Sequence, residues 1–320
     1  MNLMKYRWLF VGIFIATMLL SVLFIFFNAF NGFGTKPGSA LNLGIDFTGG
    51  TKIYFPVSKA VTSSEVAEVL QTIKLPHFKF NSPQPSQNPD SKGIMRYKVL
   101  VYTTFLNDSE QEIVISALEA KFGSQAVEEQ GLEVTRINPL VGKELLSNAL
   151  WAVVLASILM LAYIWIRFEL ISGVAAIIAL LHDCIVVVGF TALFGLEINA
   201  TIIAAVLTIL GYSINDTIVV FDRIRENQKF KSKDMPFVEL ANDSILQTFR
   251  RSLNTSFTTV LAILVLFVVV PNLREFLFAL MVGITSGTYS SIFIASPIWA
   301  VYRDYQEKKK LLQKSVAASR

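Results

Sequence analysis

The sequence predicts an α-helical membrane protein with several spans and one α+β domain inserted after the first of them. The composition supports this class, because 53% of the 320 residues are hydrophobic and the mean hydropathy is +0.54. Such values are typical of multi-span membrane proteins rather than soluble ones. Two further observations are a set of six long apolar stretches and the long polar interval 29–147, which separates the first stretch from the second.

Six stretches are long enough to span a membrane, since a bilayer core of about 30 Å needs roughly 20 apolar helical residues. They are 8–28, 148–166, 171–194, 200–221, 253–270 and 276–300. The first follows Lys5 and Arg7 and resembles a signal peptide at its start. Its uncharged run is longer than a usual signal sequence and no clear cleavage site follows, so we interpret it as a retained anchor.

The positions of Lys and Arg predict the orientation, because cytoplasmic loops carry an excess of them. The basic residues of the interval 222–252 and of the C-terminal tail are Arg223, Arg225, Lys229, Lys231, Lys233, Arg250, Arg251, Arg303, Lys308, Lys309, Lys310, Lys314 and Arg320. The connections around Glu197 and around Arg274-Glu275 are short and nearly uncharged. We therefore expect both termini and the interval 222–252 on the cytoplasmic side.

This orientation divides the chain into four predicted parts. Residues 1–28 hold the cytoplasmic N-terminus and the first span, and residues 29–147 form a domain outside the cytoplasm. Residues 148–302 hold the other five spans with the cytoplasmic loop 222–252. Residues 303–320 form a basic cytoplasmic tail.

The outside interval shows the order β-α-β-β-α-β, which predicts a ferredoxin-like periplasmic or extracytoplasmic domain. The segment LNLGIDFTGGTKIYF predicts two short strands around Gly49-Gly50, and HFKF, IMRYKVLVYTT and LEVTRINPL predict further strands. The segments TSSEVAEVLQTIKL and NDSEQEIVISALEAKFG predict capped helices, the second closed by Gly123. The polar segment NSPQPSQNPDSKG predicts a loop.

Two acidic residues lie inside predicted spans, Asp183 in the third and Asp216 in the fourth. A charge at the bilayer centre costs at least about 2.5–3.5 kcal/mol, so such residues face protein or water and have partners. For Asp216 the alternative is an interfacial carboxyl that bonds Arg223 or a helix end. For Asp183 the alternative is a packing hydrogen bond to a neighbouring helix, with His182 as a structural donor.

The last three spans are rich in small and hydroxyl-bearing residues, which predicts a hydrated bundle interior. Asp216 is surrounded in sequence by Tyr212, Ser213, Asn215 and Thr217. The segment RSLNTSFTT opens the fifth span, and GITSGTYSS in the sixth contains Gly283 and Gly287 at the spacing of close helix packing.

Several function classes have no support in the sequence. There is one cysteine, Cys184, and the two histidines are far apart, so no metal site is predicted. The chain shows neither a phosphate-binding loop nor a nucleophile motif. We expect no enzyme activity, no cofactor and no nucleic-acid partner, and an ion gradient is the expected source of energy.

Four segments together resemble the SecF branch of the SecD/SecF family, over about residues 41 to 300. They are GIDFTGGT, GYSINDTIVVFDRIREN, RSLNTSFTTVL and GTYSSIFIASP. The family positions that they match, besides the acids, are Gly44, Ile45, Asp46, Phe47, Thr48, Gly49, Gly50, Asn215, Asn254 and Thr255. The resemblance implies one half of a transporter of the RND superfamily in the bacterial cytoplasmic (inner) membrane.

The same resemblance implies partners and a mechanism. A separate SecD half would complete the complex, which would use the proton gradient to promote passage of unfolded preproteins through SecYEG, with YajC and YidC as further partners. Asp216 matches the proton-passage acid of the fourth span and Arg251 the basic residue of that network. As an acid inside the third span, Asp183 is a further candidate for the proton relay. The alternative is a half-subunit of an RND-type exporter of small molecules or lipids, and a passive assembly subunit is a third hypothesis.

Overall fold

The computed structural model describes residues 3–31, 40–81, 83–89, 95–123, 127, 131–230 and 235–318. The chain divides into two compact units. We call Met1–Asn42 together with Leu150–Arg320 the helical bundle, and Leu43–Ala149 the sheet unit.

Six helical segments in the described residues are long and apolar enough to cross a membrane, which confirms the predicted number of spans. We number them first to sixth span: Leu3–Phe27, Pro139–Arg167, Leu170–Leu193, Ala200–Gln228, Phe237–Val269 and Pro271–Lys310. Much of the predicted loop 222–252 is helical instead, because the fourth span continues to Gln228 and the fifth begins at Phe237. A helix can continue past its apolar stretch when its charged side chains reach water. Hydropathy alone therefore underestimates the lengths of the fourth and fifth helices.

The third, fourth and sixth spans form the centre of the helical bundle. Their buried side chains include Ala175, Ala179, Leu210, Phe221 and Trp299. The first, second and fifth spans expose most of their apolar side chains. Two of these central spans, the third and the fourth, carry the buried acids Asp183 and Asp216.

The sheet unit contains four antiparallel strands in the order β2-β3-β1-β4. The strands are β1 Gly50–Val57, β2 Gln84–Pro89, β3 Met95–Thr103 and β4 Glu133–Ile137. Helix α1, Ser63–Gln71, follows β1, and helix α2, Asp108–Phe122, follows β3. Alternate residues of β1 and β3 pack against both helices and form a core, with Ile53, Phe55, Val66, Leu70, Val99, Val101, Val114 and Leu118.

Both predicted helix caps of the sheet unit are present. The Thr62 side chain accepts a hydrogen bond from the Glu65 backbone N–H, and the Glu65 side chain accepts one from the Thr62 backbone N–H. Asn107 and Glu110 make the same reciprocal pair of hydrogen bonds at the start of α2. Gly123 ends α2 at a positive φ of 86°. These capping boxes follow directly from the sequence, because their partners are three residues apart.

Three local predictions for the sheet unit are wrong. Strand β2 lies in the segment predicted as a loop, and HFKF forms no strand beyond one bridge between Phe80 and Thr103. β2 is an edge strand, and an edge accepts the prolines and polar residues that suggested a loop. The run before Gly49 forms a one-turn helix, Ile45–Thr48, in place of a strand.

Candidate functional site

Asp183 lies in the third span and is fully buried. Its Oδ2 accepts hydrogen bonds from the Ser213 and Ser290 hydroxyls, each at 2.8 Å, and its Oδ1 accepts one from Ser286 at 2.7 Å. His182 Nδ1 lies 3.1 Å from Oδ1. The carboxyl therefore joins the third span to the fourth and the sixth, as the packing interpretation of this residue requires.

His182 links this network to the first span. Its Nε2 is 2.9 Å from the Thr17 hydroxyl, and its ring stacks on Phe14 with 4.5 Å between centroids. The side chain is almost fully buried. Thr17 was not a candidate from the sequence, and nothing in a single hydroxyl on an apolar helix marks it as one.

Asp216 lies in the fourth span with 7% of its surface exposed. Its Oδ2 accepts a hydrogen bond of 2.8 Å from the Ser291 hydroxyl of the sixth span. The buried Ser252 side chain also faces this carboxyl, although its Oγ reaches hydrogen-bonding geometry with none of the described residues. Arg223 donates to Gln247 and Glu226 rather than to Asp216.

Arg251 lies on the fifth span, one residue before Ser252, and acts electrostatically on the Asp216 carboxylate. Its side chain is exposed, and among the described residues no ion pair joins it to Asp216. The structure thus places two of the predicted relay residues, Asp216 and Arg251, near each other. The third, Asp183, hydrogen-bonds to a different set of serines.

A polar surface on the fourth and fifth spans is exposed in the isolated chain. We call it the polar face and define it by Gly211, Asn215, Arg251, Asn254 and Thr255. Next to it, the Tyr212 hydroxyl lies 3.0 Å from Thr259 Oγ1. Polar side chains at membrane depth are stable when they face protein or a water-filled cavity rather than lipid.

The sixth span is interrupted by a π-helical turn, Ser291–Ala295. The turn begins at Ser291, which binds Asp216, and directly follows Ser290, which binds Asp183. Pro297 accounts for the change of helix type, since proline has no N–H and its ring displaces the carbonyl four residues earlier. The Ser296 hydroxyl donates to the Ser291 carbonyl at 3.0 Å. The proline marks a break of the helix in the sequence, although not the form of that break.

Gly283 and Gly287 lie where the sixth span crosses the fourth. A Cβ at Gly287 would lie 2.9 Å from the Ser213 Cβ, and one at Gly283 would clash with Ile209. Glycine at these two positions therefore lets the sixth span pack closely against the fourth.

The segment Gly44–Gly50 belongs to the sheet unit. Ile45 and Phe47 are buried, Asp46 is half-buried, and the Thr48 hydroxyl donates to the Gly44 carbonyl at 3.0 Å. Gly49 and Gly50 have φ angles of 70° and 139°, and a Cβ at Gly50 would lie 2.7 Å from the Thr103 carbonyl oxygen. This segment shapes the start of β1. The described residues contain no cluster of His, Cys, Asp and Glu that could hold a metal ion.

Two family models match this chain. The model "Protein export membrane protein SecD/SecF, C-terminal" covers residues 117–305, and the model "SecD/SecF GG Motif" covers residues 38–61. The chain is 40% identical to the protein translocase subunit SecF of Petrotoga mobilis over 91% of this chain and 92% of that protein. It is 37% identical to the SecDF subunit of Bacillus subtilis over 85% of this chain and 36% of that longer protein.

A solved structure supports the same relationship. The crystal structure of SecDF from Thermus thermophilus, described as a translocon-associated membrane protein, superposes with a TM-score of 0.76 at 34% identity. The match covers 95% of this chain and 39% of SecDF, so the chain corresponds to well under half of that protein.

Proposed function

Because the chain belongs to the SecD/SecF family of protein-export membrane proteins, we propose that it is the SecF-type half of a proton-driven export complex. In this proposal it pairs with a SecD-type half in the bacterial cytoplasmic membrane and promotes translocation of unfolded preproteins through SecYEG, with YajC and YidC as further partners. The fused SecDF relatives, in which one chain contains both halves by name, support the pairing.

The observation that carries the proposal is a buried carboxyl directly beneath an exposed polar face. Asp216 is buried among serine hydroxyls, and the neighbouring Asn215, Arg251 and Asn254 are exposed on the surface. In a membrane that surface requires cover by protein or water, which a second half would supply. A carboxyl at such an interface is placed to bind a proton that enters between the two halves.

The remaining parts of the proposal concern topology and chemistry. The sheet unit is a ferredoxin-like domain outside the cytoplasm, a proposal supported by its strand order β2-β3-β1-β4. Both termini are cytoplasmic, as the basic residues in the tail and around 222–252 favour. The chain needs no cofactor beyond the proton gradient and has no enzyme activity of its own.

Export into membrane vesicles tests the proposal. Asp216→Asn keeps the shape of the side chain and removes its titratable group, so we expect loss of the export that depends on the proton gradient, with expression and SecD association retained. Asp216→Glu, which keeps the acid, should be milder, and Arg251→Lys should retain part of the activity because it keeps the charge without the guanidinium geometry.

Asp222→Asn is the matched control for this assay. Asp222 lies six residues further along the same helix, is exposed, and forms a 2.9 Å ion pair with Arg167. An exposed ion pair contributes about 0–1 kcal/mol, so Asp222→Asn should export at the wild-type rate. Full gradient-dependent export by Asp216→Asn would refute the proton role and leave the hypothesis of a passive subunit.

A further inference from the structure

Two neighbouring hydroxyls of the sixth span bind two different acids. Ser290 donates to Asp183 of the third span, and Ser291 donates to Asp216 of the fourth span, each at 2.8 Å. Consecutive residues of a helix point in different directions, so the sixth span reaches both neighbours at one level. Both serines are fully buried.

The backbone around this serine pair is held firmly. Ser291 begins the π-helical turn, and its carbonyl accepts the Ser296 hydroxyl at 3.0 Å. Phe293, inside the turn, packs against Phe10 with 4.2 Å between ring centroids. The Ser291 hydroxyl is therefore fixed in position by the turn, while its proton remains free to rotate.

The Ser291 hydroxyl has two acceptors within reach, Asp216 Oδ2 at 2.8 Å and the Thr288 carbonyl oxygen at 3.1 Å. A hydroxyl carries one proton and two lone pairs, so it donates to one acceptor at a time. When Asp216 is ionised, Ser291 donates to the carboxylate. When Asp216 carries a proton, its O–H donates to Ser291, and Ser291 turns its own proton to the Thr288 carbonyl.

We propose that Ser291 is a positioning residue for Asp216, which it holds in one orientation in both protonation states by reversing the direction of their hydrogen bond. This inference rests on the proposed function, since it presupposes that Asp216 binds a proton. Ser290 makes the equivalent bond to the other acid and has no direct part in holding Asp216.

The charged and titratable groups around the site are consistent with separate roles for Ser290 and Ser291. Arg251 of the fifth span lies within electrostatic range of Asp216. Asp183 of the third span accepts from Ser290, His182 bonds Thr17, and the Tyr289 hydroxyl donates to the Phe10 carbonyl at 2.6 Å. Ser291 donates a hydrogen bond of 2.8 Å to the Asp216 carboxyl, which the Ser252 side chain also faces.

Infrared difference spectroscopy tests the inference on the full chain, purified with its partner in lipid and compared at high and low pH. The C=O stretching band of protonated Asp216 is identified by its loss in Asp216→Asn. We expect Ser291→Ala to shift this band to higher frequency because a hydrogen bond is removed, and Ser291→Thr to restore the wild-type position. Ser290→Ala is the matched control, with the same change one residue away, and should leave the band in place.

The possible outcomes separate the inference from the function on which it rests. A band that depends on Asp216 but keeps its position in Ser291→Ala overturns the role of Ser291 and leaves the proton site intact. An equal shift in Ser290→Ala also overturns it, because the effect would then be general to the turn. If no band depends on Asp216, the proton role itself is refuted, and the role of Ser291 with it.

Discussion

The sheet unit and the helical bundle satisfy their polar groups in different ways. In the sheet unit, Thr62 bonds Glu65 and Asn107 bonds Glu110, in each case three residues away. In the bundle, Asp183 bonds Ser213 and Ser290, which are 30 and 107 residues away. Water is available to these exposed caps and not to the buried Asp183 carboxyl, so the acid depends on distant partners and the caps on local ones.

This difference predicts unequal consequences when one polar side chain is removed. In the bundle the Asp183 carboxyl joins three helices, so its loss should destabilise the packing of all three. In the sheet unit a cap serves one helix end.

Asp183→Ala should destabilise the bundle most, because it removes three interhelical hydrogen bonds. Such bonds contribute about 0.6 kcal/mol each on average, so we expect a loss of about 2 kcal/mol in the free energy of unfolding. Asp216→Ala, which removes one such bond, is the control and should cost about 0.6 kcal/mol. Unfolding in mixed micelles measures both, and equal losses would contradict the anchoring role of Asp183.

Asn107→Ala should have a smaller and more local effect. Loss of an N-cap side chain costs about 1 kcal/mol, and Asn107 caps only α2. Hydrogen exchange should show faster opening at the start of Asp108–Phe122, with β1 and the α1 cap protected as in the wild type. Asn107→Ser, which can still cap, should restore the protection. Faster exchange throughout the sheet unit would show that the cap is not a local device.

Glu65 should give the smallest effect, visible as a pH dependence. Its pKa lies below the ordinary value of 4.5 because its carboxylate accepts from the Thr62 backbone N–H and hydroxyl. The stabilisation of α1 is therefore fully present above pH 4.5 and is lost as the pH falls through the lower pKa of the folded state. Exchange at Ser63–Gln71 should show this loss in the wild type and not in Glu65→Gln. The same pH dependence in both proteins would assign it to another group.

The same contrast explains which features the sequence could predict. The spans, the capped helices and the position of Asp216 inside a span were predictable from local signals. These signals are hydropathy, the three-residue spacing of cap partners and an acid within an apolar run. The partners of Asp183 and the contact of His182 with Thr17 were not, since they join residues distant in the chain. Strand β2 was missed because prolines at a sheet edge resemble those of a loop. The π-helical turn was missed because Pro297 indicates that the helix is interrupted but not that the interruption is a π-helical turn.

The polar face presents polar side chains on the surface of the bundle. Asn215 and Asn254 are exposed there at membrane depth, whereas the exposed residues of the second span, such as Leu159, are apolar and suit lipid. We therefore expect the partner half to cover the fourth and fifth spans and to leave this side of the second span uncovered.

Cysteine cross-linking in native membranes tests this central claim most directly. With Cys184 replaced by Ala, Asn215→Cys or Asn254→Cys is combined with single cysteines scanned along the spans of the SecD-type protein, and Leu159→Cys serves as the control. We expect disulfide-linked heterodimers from Asn215→Cys and Asn254→Cys, and none from Leu159→Cys. Efficient cross-links from Leu159→Cys, with none from either asparagine position, would contradict it.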